Sequence, residues 1–251
     1  MEPEYIKVIE LNREIPSNSY LSGLPVVRAL QERKRLSFSS AATFFLGENG
    51  TGKSTLLEAI AVACGFNAEG GTRNFSFATQ ETHSELWQYI TPVRLRRPRD
   101  GYFLRAESFY NAATYIDRLD QETGLGPRLI DQYGGVSLHR QSHGESFLAL
   151  VQNRFGERGL YILDEPEAAL SPTGQMTLLA EMNRLIQTGA QFLVATHSPI
   201  LPALPGACLL QLSPRGMEAV SYQQAENVRL TRYFLNHPQQ MVENLLGQEK
   251  P

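Results

Sequence analysis

Apolar and polar residues alternate over residues 5–11 with the period of two that sets one face of a strand on a core, and residues 35–38 repeat the pattern more briefly. A continuous apolar run at 42–46 (Ala-Thr-Phe-Phe-Leu) predicts a buried strand, with a short helix before it at 24–30 and a helix after it at 56–63. Residues 65–72 are rich in glycine and polar groups and read as a loop, 74–79 as an edge strand and 84–90 as a short helix. Further along, a strand is predicted at 102–105, a helix near 109–119, a loop or lid at 121–135 with its four glycines and one proline, and a helix at 147–155. Short apolar runs at 160–163 and 191–195 predict two more buried strands, and 227–246 reads as one or two helices packed on the end of the domain. Heptads, internal repeats and low-complexity tracts do not appear.

A chain of 251 residues can bury a large core, and a hydrophobic content of 42% with 20% charged residues and a net charge of −3 fits an ordinary soluble globular protein. The apolar runs are far too short for a membrane span, and the first residues, Met-Glu-Pro-Glu, are acidic where a signal peptide is basic, so the expected location is the cytoplasm. Cys64 and Cys208 lack metal-ligand spacing and read as reduced core thiols. Arg94, Arg96, Arg97 and Arg99 crowd one segment. They could meet phosphate or an acidic partner, but a solvated hairpin arm is the preferred reading.

The segment between the run at 42–46 and the helix at 56–63 is Gly47-Glu48-Asn49-Gly50-Thr51-Gly52-Lys53-Ser54-Thr55, a complete G-x-x-x-x-G-K-[ST] phosphate loop. Strand, loop and helix stand in the order the motif requires, because backbone N–H groups and a helix N-terminus must converge on the phosphates. The chain is therefore expected to bind ATP or GTP. Gly50 and Gly52 permit positive φ and close approach, Lys53 brings the one fixed cation the sequence places at the β/γ oxygens, and Ser54 sets a hydroxyl on Mg²⁺. Lys53 is expected to lie outside the core.

The run at 160–163 ends in Asp164 and Glu165, the form of a buried strand whose carboxyl end reaches a ligand. Asp164 is expected to hold Mg²⁺, and Glu165 to orient or deprotonate the attacking water. The run at 191–195 ends in the same way in Thr196 and His197, and His197 could donate to a γ-phosphate.

Asp164-Glu165-Pro166, followed 33 positions later by His197 in Ala195-Thr196-His197-Ser198-Pro199, resembles the extended Walker B and H-loop of the ABC-class ATPases. Ser142-His143-Gly144-Glu145-Ser146, ahead of a helix and about twenty residues before Asp164, occupies the place of their signature motif. Together these motifs resemble the short stand-alone ATPases of the ABC class, soluble relatives of the SMC and repair ATPases, over residues 5 to 213. The resemblance implies an α/β P-loop NTPase with an ABC-type nucleotide-binding domain: a mixed sheet, an N-terminal antiparallel β part, a helical subdomain at about 108–155 and a C-terminal helical tail at about 226–251, all in a single domain over 1–251. It implies that Gly47, Asn49, Gly50, Thr51, Gly52, Lys53, Ser54 and Thr55 bind the nucleotide, that Ser54 and Asp164 hold the metal, and that Glu165 and His197 are catalytic. Ser142, Gly144 and Glu145 would face the nucleotide of a second protomer, making ATP the glue of a homodimer. Independently, Ser142 with Glu145 three residues later is a helix capping box, and both readings can hold at once.

The sequence departs from the family pattern at His143, where a glycine is common, and at Ser171, where many members carry aspartate. The glutamine expected after the strand at 102–105 is missing; Glu107 lies near its place and Gln80 is a poorer candidate. Tyr5 and Tyr20 are the candidates for stacking on adenine, and either could equally be core. The expected function is a Mg²⁺-dependent ATPase, a cytosolic switch that dimerises on ATP and acts with nucleic acid or a separate effector in repair or anti-phage defence. The alternatives are the ATP-binding subunit of a membrane transporter and a slow ATP-gated interaction module. The missing glutamine weighs against the transporter. The 89 positions between Lys53 and Ser142 leave no room for a long coiled coil, and the acidic balance weighs against autonomous DNA binding.

Overall fold

The structure is a computed structural model that describes residues 2, 5–68, 70–72, 84–105 and 142–247. Its strands are β1 (Ile6–Leu11), β2 (Arg35–Ser37), β3 (Ala42–Leu46), β4 (Ile90–Arg94), β5 (Asp100–Arg105), β6 (Gly159–Asp164), β7 (Gln191–Ala195), β8 (Cys208–Ser213) and β9 (Gly216–Val220). Its helices are α1 (Pro25–Arg33), α2 (Lys53–Ala63), α3 (His143–Arg154), α4 (Pro172–Gln187), α5 (Glu226–Asn236) and α6 (Pro238–Leu246). The expected edge strand at 74–79, the helix near 109–119, the loop at 121–135, Gln80 and Glu107 lie outside the described residues.

Strands β2-β1-β4 form a small antiparallel sheet, and β5-β6-β7-β3-β8-β9 form the main one, parallel except for the β8–β9 hairpin. The arginine segment is therefore not a hairpin arm. Arg94 closes β4 in the small sheet, β5 runs parallel to β6 in the large one, and residues 95–99 carry the chain from one sheet to the other. Single-sequence periodicity identifies strands but not their partners, and here two neighbouring strands belong to different sheets.

The main strands are buried on both faces, which explains their unbroken apolar runs. Alternate residues divide between two cores. Phe44, Tyr161, Leu163, Phe192 and Val194 pack with α3 and α4, whereas Phe45, Leu160, Ile162, Leu193 and Ala195 pack with α1, α2 and the small sheet. The side-chain amide of fully buried Gln191 joins the two sheets: its Oε1 accepts the N–H groups of Tyr5 and Ile6 at 2.8 and 2.9 Å, and its Nε2 donates to Ile6 O at 2.9 Å. Tyr5 is thereby fixed in the core, its hydroxyl donating to Gly189 O at 2.7 Å at the amino end of β7. That is the end of the sheet opposite the phosphate loop, so Tyr5 is excluded as an adenine platform. Tyr20 stays exposed, with its hydroxyl donating to Ser84 Oγ at 3.1 Å.

The helix ends follow local chemistry. Ser171 caps α4 by accepting the Gly174 N–H at 3.2 Å, with Pro172 in the first turn, which gives the serine at the aspartate position a structural task. Helix α1 turns its apolar residues inward and ends at Lys34 in the left-handed region. Cys64 is buried, Cys208 is half-buried, and both are free thiols. No helix of the described residues is long and apolar enough to cross a membrane.

Candidate functional site

Strand β7 lies between β3 and β6, so three carboxyl ends meet side by side: the phosphate loop after β3, Asp164 and Glu165 at the end of β6, and His197 beyond β7. Such a position, outside the carboxyl ends of parallel strands, is where open α/β sheets bind ligands. Ser54, Arg105, His143, Asp164 and Glu165 line one open cleft there of about 350 Å³, walled on one side by Ala168 and Ala169.

In the phosphate loop, Gly47 and Gly52 have φ of 138° and 91°. A Cβ on Gly47 would strike Leu212 O of β8, and one on Gly52 would come within 2.6 Å of Val26 Cγ1 on α1, so these glycines answer to the protein's own packing. Asn49 and Gly50 form the exposed tip, while Thr51 is tied down, its hydroxyl donating to Glu48 O at 2.8 Å and its carbonyl accepting the Val26 N–H at 3.1 Å. Thr55 follows Ser54 in the first turn of α2, where the N–H groups of Lys53, Ser54 and Thr55 have no preceding helical carbonyl to bond and are available to an anion.

Lys53 does not lie outside the core. It is 4% exposed, and its Nζ donates to Gly47 O at 2.7 Å and Glu48 O at 3.0 Å. Burial pushes its pKa down from the usual lysine range, against the opposing pull of Glu165, Asp164 and Glu167. Nor is it the only cation at the cleft. Arg105, at the end of β5, pairs through Nη1 with Glu58 Oε2 at 2.6 Å, and its Nε lies 3.7 Å from Asp164 Oδ2.

Ser54 Oγ donates to Asp164 Oδ1 at 2.9 Å, and Asp164 is 6% exposed. A hydroxyl and a carboxylate held together at a buried strand end are hard oxygen donors of the kind Mg²⁺ uses, so these residues fit the metal. Glu165 has left the strand. Its φ and ψ are both 50°, its N–H donates to Ala195 O at 3.0 Å, and its carboxylate oxygen lies 3.5 Å from His197 Nε2. A non-glycine residue in the left-handed region stores about 1 kcal/mol of strain or more, and such strain gathers where a side chain must be aimed. His197 Nε2 is buried and has no hydrogen-bond partner among the described residues.

Glu167 escaped the sequence reading. Its Oε1 accepts the N–H groups of His197 at 2.5 Å and Ser198 at 3.2 Å, and its Oε2 accepts the Thr196 hydroxyl at 2.7 Å. From the other side, Asn227 Nδ2 on α5 donates to the carbonyls of His197 at 3.2 Å and Ser198 at 2.8 Å. The loop that carries His197 is thus clamped between a carboxylate and an amide.

The capping box at the start of α3 is present. Ser142 Oγ accepts the Glu145 N–H at 3.3 Å, and Glu145 Oε2 accepts the Ser142 N–H at 2.9 Å and its hydroxyl at 2.7 Å. These bonds, the hydroxyl first, lower the Glu145 pKa below the ordinary carboxylate range. A Cβ on Gly144 would come within 2.9 Å of Ala169 O, so a glycine here lets α3 abut the turn after Glu165. Ser142, His143 and Glu145 are exposed, and His143 faces the cleft of its own chain.

Two family profiles match the chain: "AAA domain" over residues 27–122, and "AAA domain, putative AbiEii toxin, Type IV TA system" over residues 78–201. The first spans the phosphate loop, and the second spans the acidic pair and His197. No curated protein matches the chain. Among solved structures, the chain is similar to a "putative metal-chelate type ABC transporter" in an inward-facing conformation, at 16% identity over 92% of this chain and 89% of that one, with a TM-score of 0.47. It is similar also to cbiO1 of Clostridium perfringens, part of the ABC transporter complex cbiONQ (16% identity, 97% and 99% covered, TM-score 0.47). A third is the SMC head domain of Thermotoga maritima (15% identity, 86% and 98% covered, TM-score 0.42). The strand order, the phosphate loop and these two AAA-domain profiles agree on an α/β fold of the P-loop NTPase type.

Proposed function

We propose that this protein is a Mg²⁺-dependent ATPase that dimerises on ATP and acts as a switch alongside nucleic acid or a separate effector. The observation that carries the reading is the convergence of the phosphate loop, the 2.9 Å Ser54–Asp164 contact and the 3.5 Å Glu165–His197 approach at three adjoining strand ends. Lys53 and the first-turn N–H groups of α2 bind the phosphates, and Ser54 with Asp164 holds the metal. When bound, Mg²⁺ neutralises charge on the β- and γ-oxygens.

Glu165 takes a proton from the attacking water, while His197 Nε2, which has no hydrogen-bond partner among the described residues, donates to the γ-phosphate. Ser142, Gly144 and Glu145, at the exposed start of α3, complete the site of a second protomer. An effector setting is supported by the description of the profile over residues 78–201, which names a toxin of a type IV TA system.

Nucleotide binding by two variants tests the reading. Lys53→Ala should lose most ATP binding, and Lys53→Met, which keeps the buried aliphatic volume while removing the charge, should do the same with near-native melting. ATP affinity at the wild-type level in a folded Lys53→Met protein would overturn it.

A further inference from the structure

At the amino ends of β5, β6 and β7, one sheet length from the nucleotide cleft, Arg96, Arg97, Arg99 and Arg158 line a groove of about 600 Å³. Six-residue β6 runs from one site to the other, which sets them roughly 20 Å apart. We propose that this groove binds the phosphate backbone of a nucleic acid. The inference rests on the nucleic-acid branch of the function proposed above and gives that branch a location.

Three observations support it. First, the lining carries four guanidinium groups and one carboxylate, Glu157, among the described residues. Asp100, at the start of β5, is already committed to Arg154 Nη1 at 2.9 and 3.0 Å, to the Gly156 N–H at 3.0 Å and to the Tyr161 hydroxyl at 3.0 Å. Arg97, Arg99 and Arg158 have no ion-pair partner among the described residues.

Second, the backbone that presents the arginines is fixed. Arg99 N–H donates to Arg158 O at 3.1 Å, Leu95 N–H donates to Tyr5 O at 2.8 Å, and Arg158 is held at a φ of 54°. A non-glycine residue in that conformation is held there by its surroundings. Guanidinium groups on a rigid frame are suited to phosphate because their planar fork bonds two oxygens at once.

Third, the remaining lining favours a phosphodiester over an acidic peptide. Gln187, Thr188 and Gly189 add polar groups, and Tyr5 is buried in the core, so no apolar pocket is offered to a peptide side chain. A ligand with one charge about every 3.4 Å along a strand has nothing apolar to bury and matches a row of arginines. The net charge of −3 is an average over the whole chain and does not describe this face.

The test is fluorescence anisotropy with the full chain and labelled DNA, as a duplex and as a single strand of equal length, at several salt concentrations. ATP binding is measured on the same samples. The wild type should bind with an affinity that falls as salt rises. Arg97→Glu/Arg99→Glu should weaken DNA binding about 10–100-fold and flatten the log–log salt slope by about 2, with ATP affinity unchanged, while Arg97→Lys/Arg99→Lys should retain most of the slope. No DNA binding by a wild type that still binds ATP would overturn the groove and leave the nucleotide site standing. DNA binding unchanged in the charge-reversed variant would keep nucleic acid as a partner and overturn this location. Displacement of DNA by polyglutamate at equal charge concentration would assign the groove to an acidic protein and overturn the proposal.

Discussion

The carboxylate of Glu167 accepts the backbone N–H of His197 at 2.5 Å, so the imidazole above the nucleotide cleft is aimed by a residue that need not touch the nucleotide. Hydrogen bonds to a charged group contribute about 1.5–3 kcal/mol, and here one carboxylate holds three donors of the same loop. Glu167→Ala should therefore lower unfolding stability by about 1–3 kcal/mol. Turnover should fall while ATP affinity stays near the wild-type value, because Lys53 and the phosphate loop are untouched. Urea unfolding and a phosphate-release assay check this, and wild-type turnover in Glu167→Ala would show that the clamp does not aim His197.

At the start of α3, one serine carries two separable expectations. Ser142→Ala removes the acceptor for the Glu145 N–H and the hydroxyl donated to Glu145 Oε2, and should lower Tm by about 2–4 °C, the usual effect of a lost cap in a chain of this size. Ser142→Arg should leave ATP binding by the monomer intact yet abolish ATP-dependent dimerisation and turnover, since a bulky cation would block the second anion site proposed there. If both variants hydrolyse ATP at the wild-type rate, Ser142 is a cap and nothing more.

The phosphate loop, the acidic pair and His197 were legible in the sequence because each lies at the end of an apolar run, and its chemistry needs only nearby residues. Strand β3 and the carboxyl end of β6 fall where the runs end. What could not be read depends on distant partners. Arg105 earns its place through Glu58 and Asp164, from two other elements, and Gln191 joins sheets through a strand 185 positions away. Glu167 resembles any exposed acid of a turn until the backbone of residues 196–198 is seen to fold over it. The arginines of 94–99 looked like a hairpin arm because nothing in their own segment says that β4 and β5 join different sheets.

Burial first, and Asp100 second, raise the Tyr161 pKa far above the ordinary tyrosine value. The unfolded chain loses this proton near pH 10, whereas the native chain keeps it. Above about pH 10 the unfolded state therefore binds fewer protons, so the Tyr161 contribution is fully present below that pH and is lost as pH rises beyond it. Tyr161→Phe should be less stable at neutral pH by about 1 kcal/mol, having lost a hydrogen bond, and should show a shallower decline above pH 10. Urea unfolding of both proteins from pH 8 to 10.5 measures the difference; parallel curves would contradict the buried neutral hydroxyl.

Glu165 sits in the left-handed region with its carboxylate 3.5 Å from His197, next to Asp164, which accepts the Ser54 hydroxyl. Glu165→Gln preserves size and leaves Ser54, Asp164 and Lys53 in place, but removes the carboxylate proposed as the base. Positioned general bases account for about 10²–10⁴-fold in rate, so turnover should fall by that factor while ATP remains bound. The measurement is light-scattering mass of Glu165→Gln with saturating Mg-ATP, beside its steady-state hydrolysis. The expected result is a stable species of twice the monomer mass with hydrolysis nearly abolished; a variant that hydrolyses ATP at the wild-type rate, or stays monomeric with ATP bound, would contradict the ATP-driven dimer cycle.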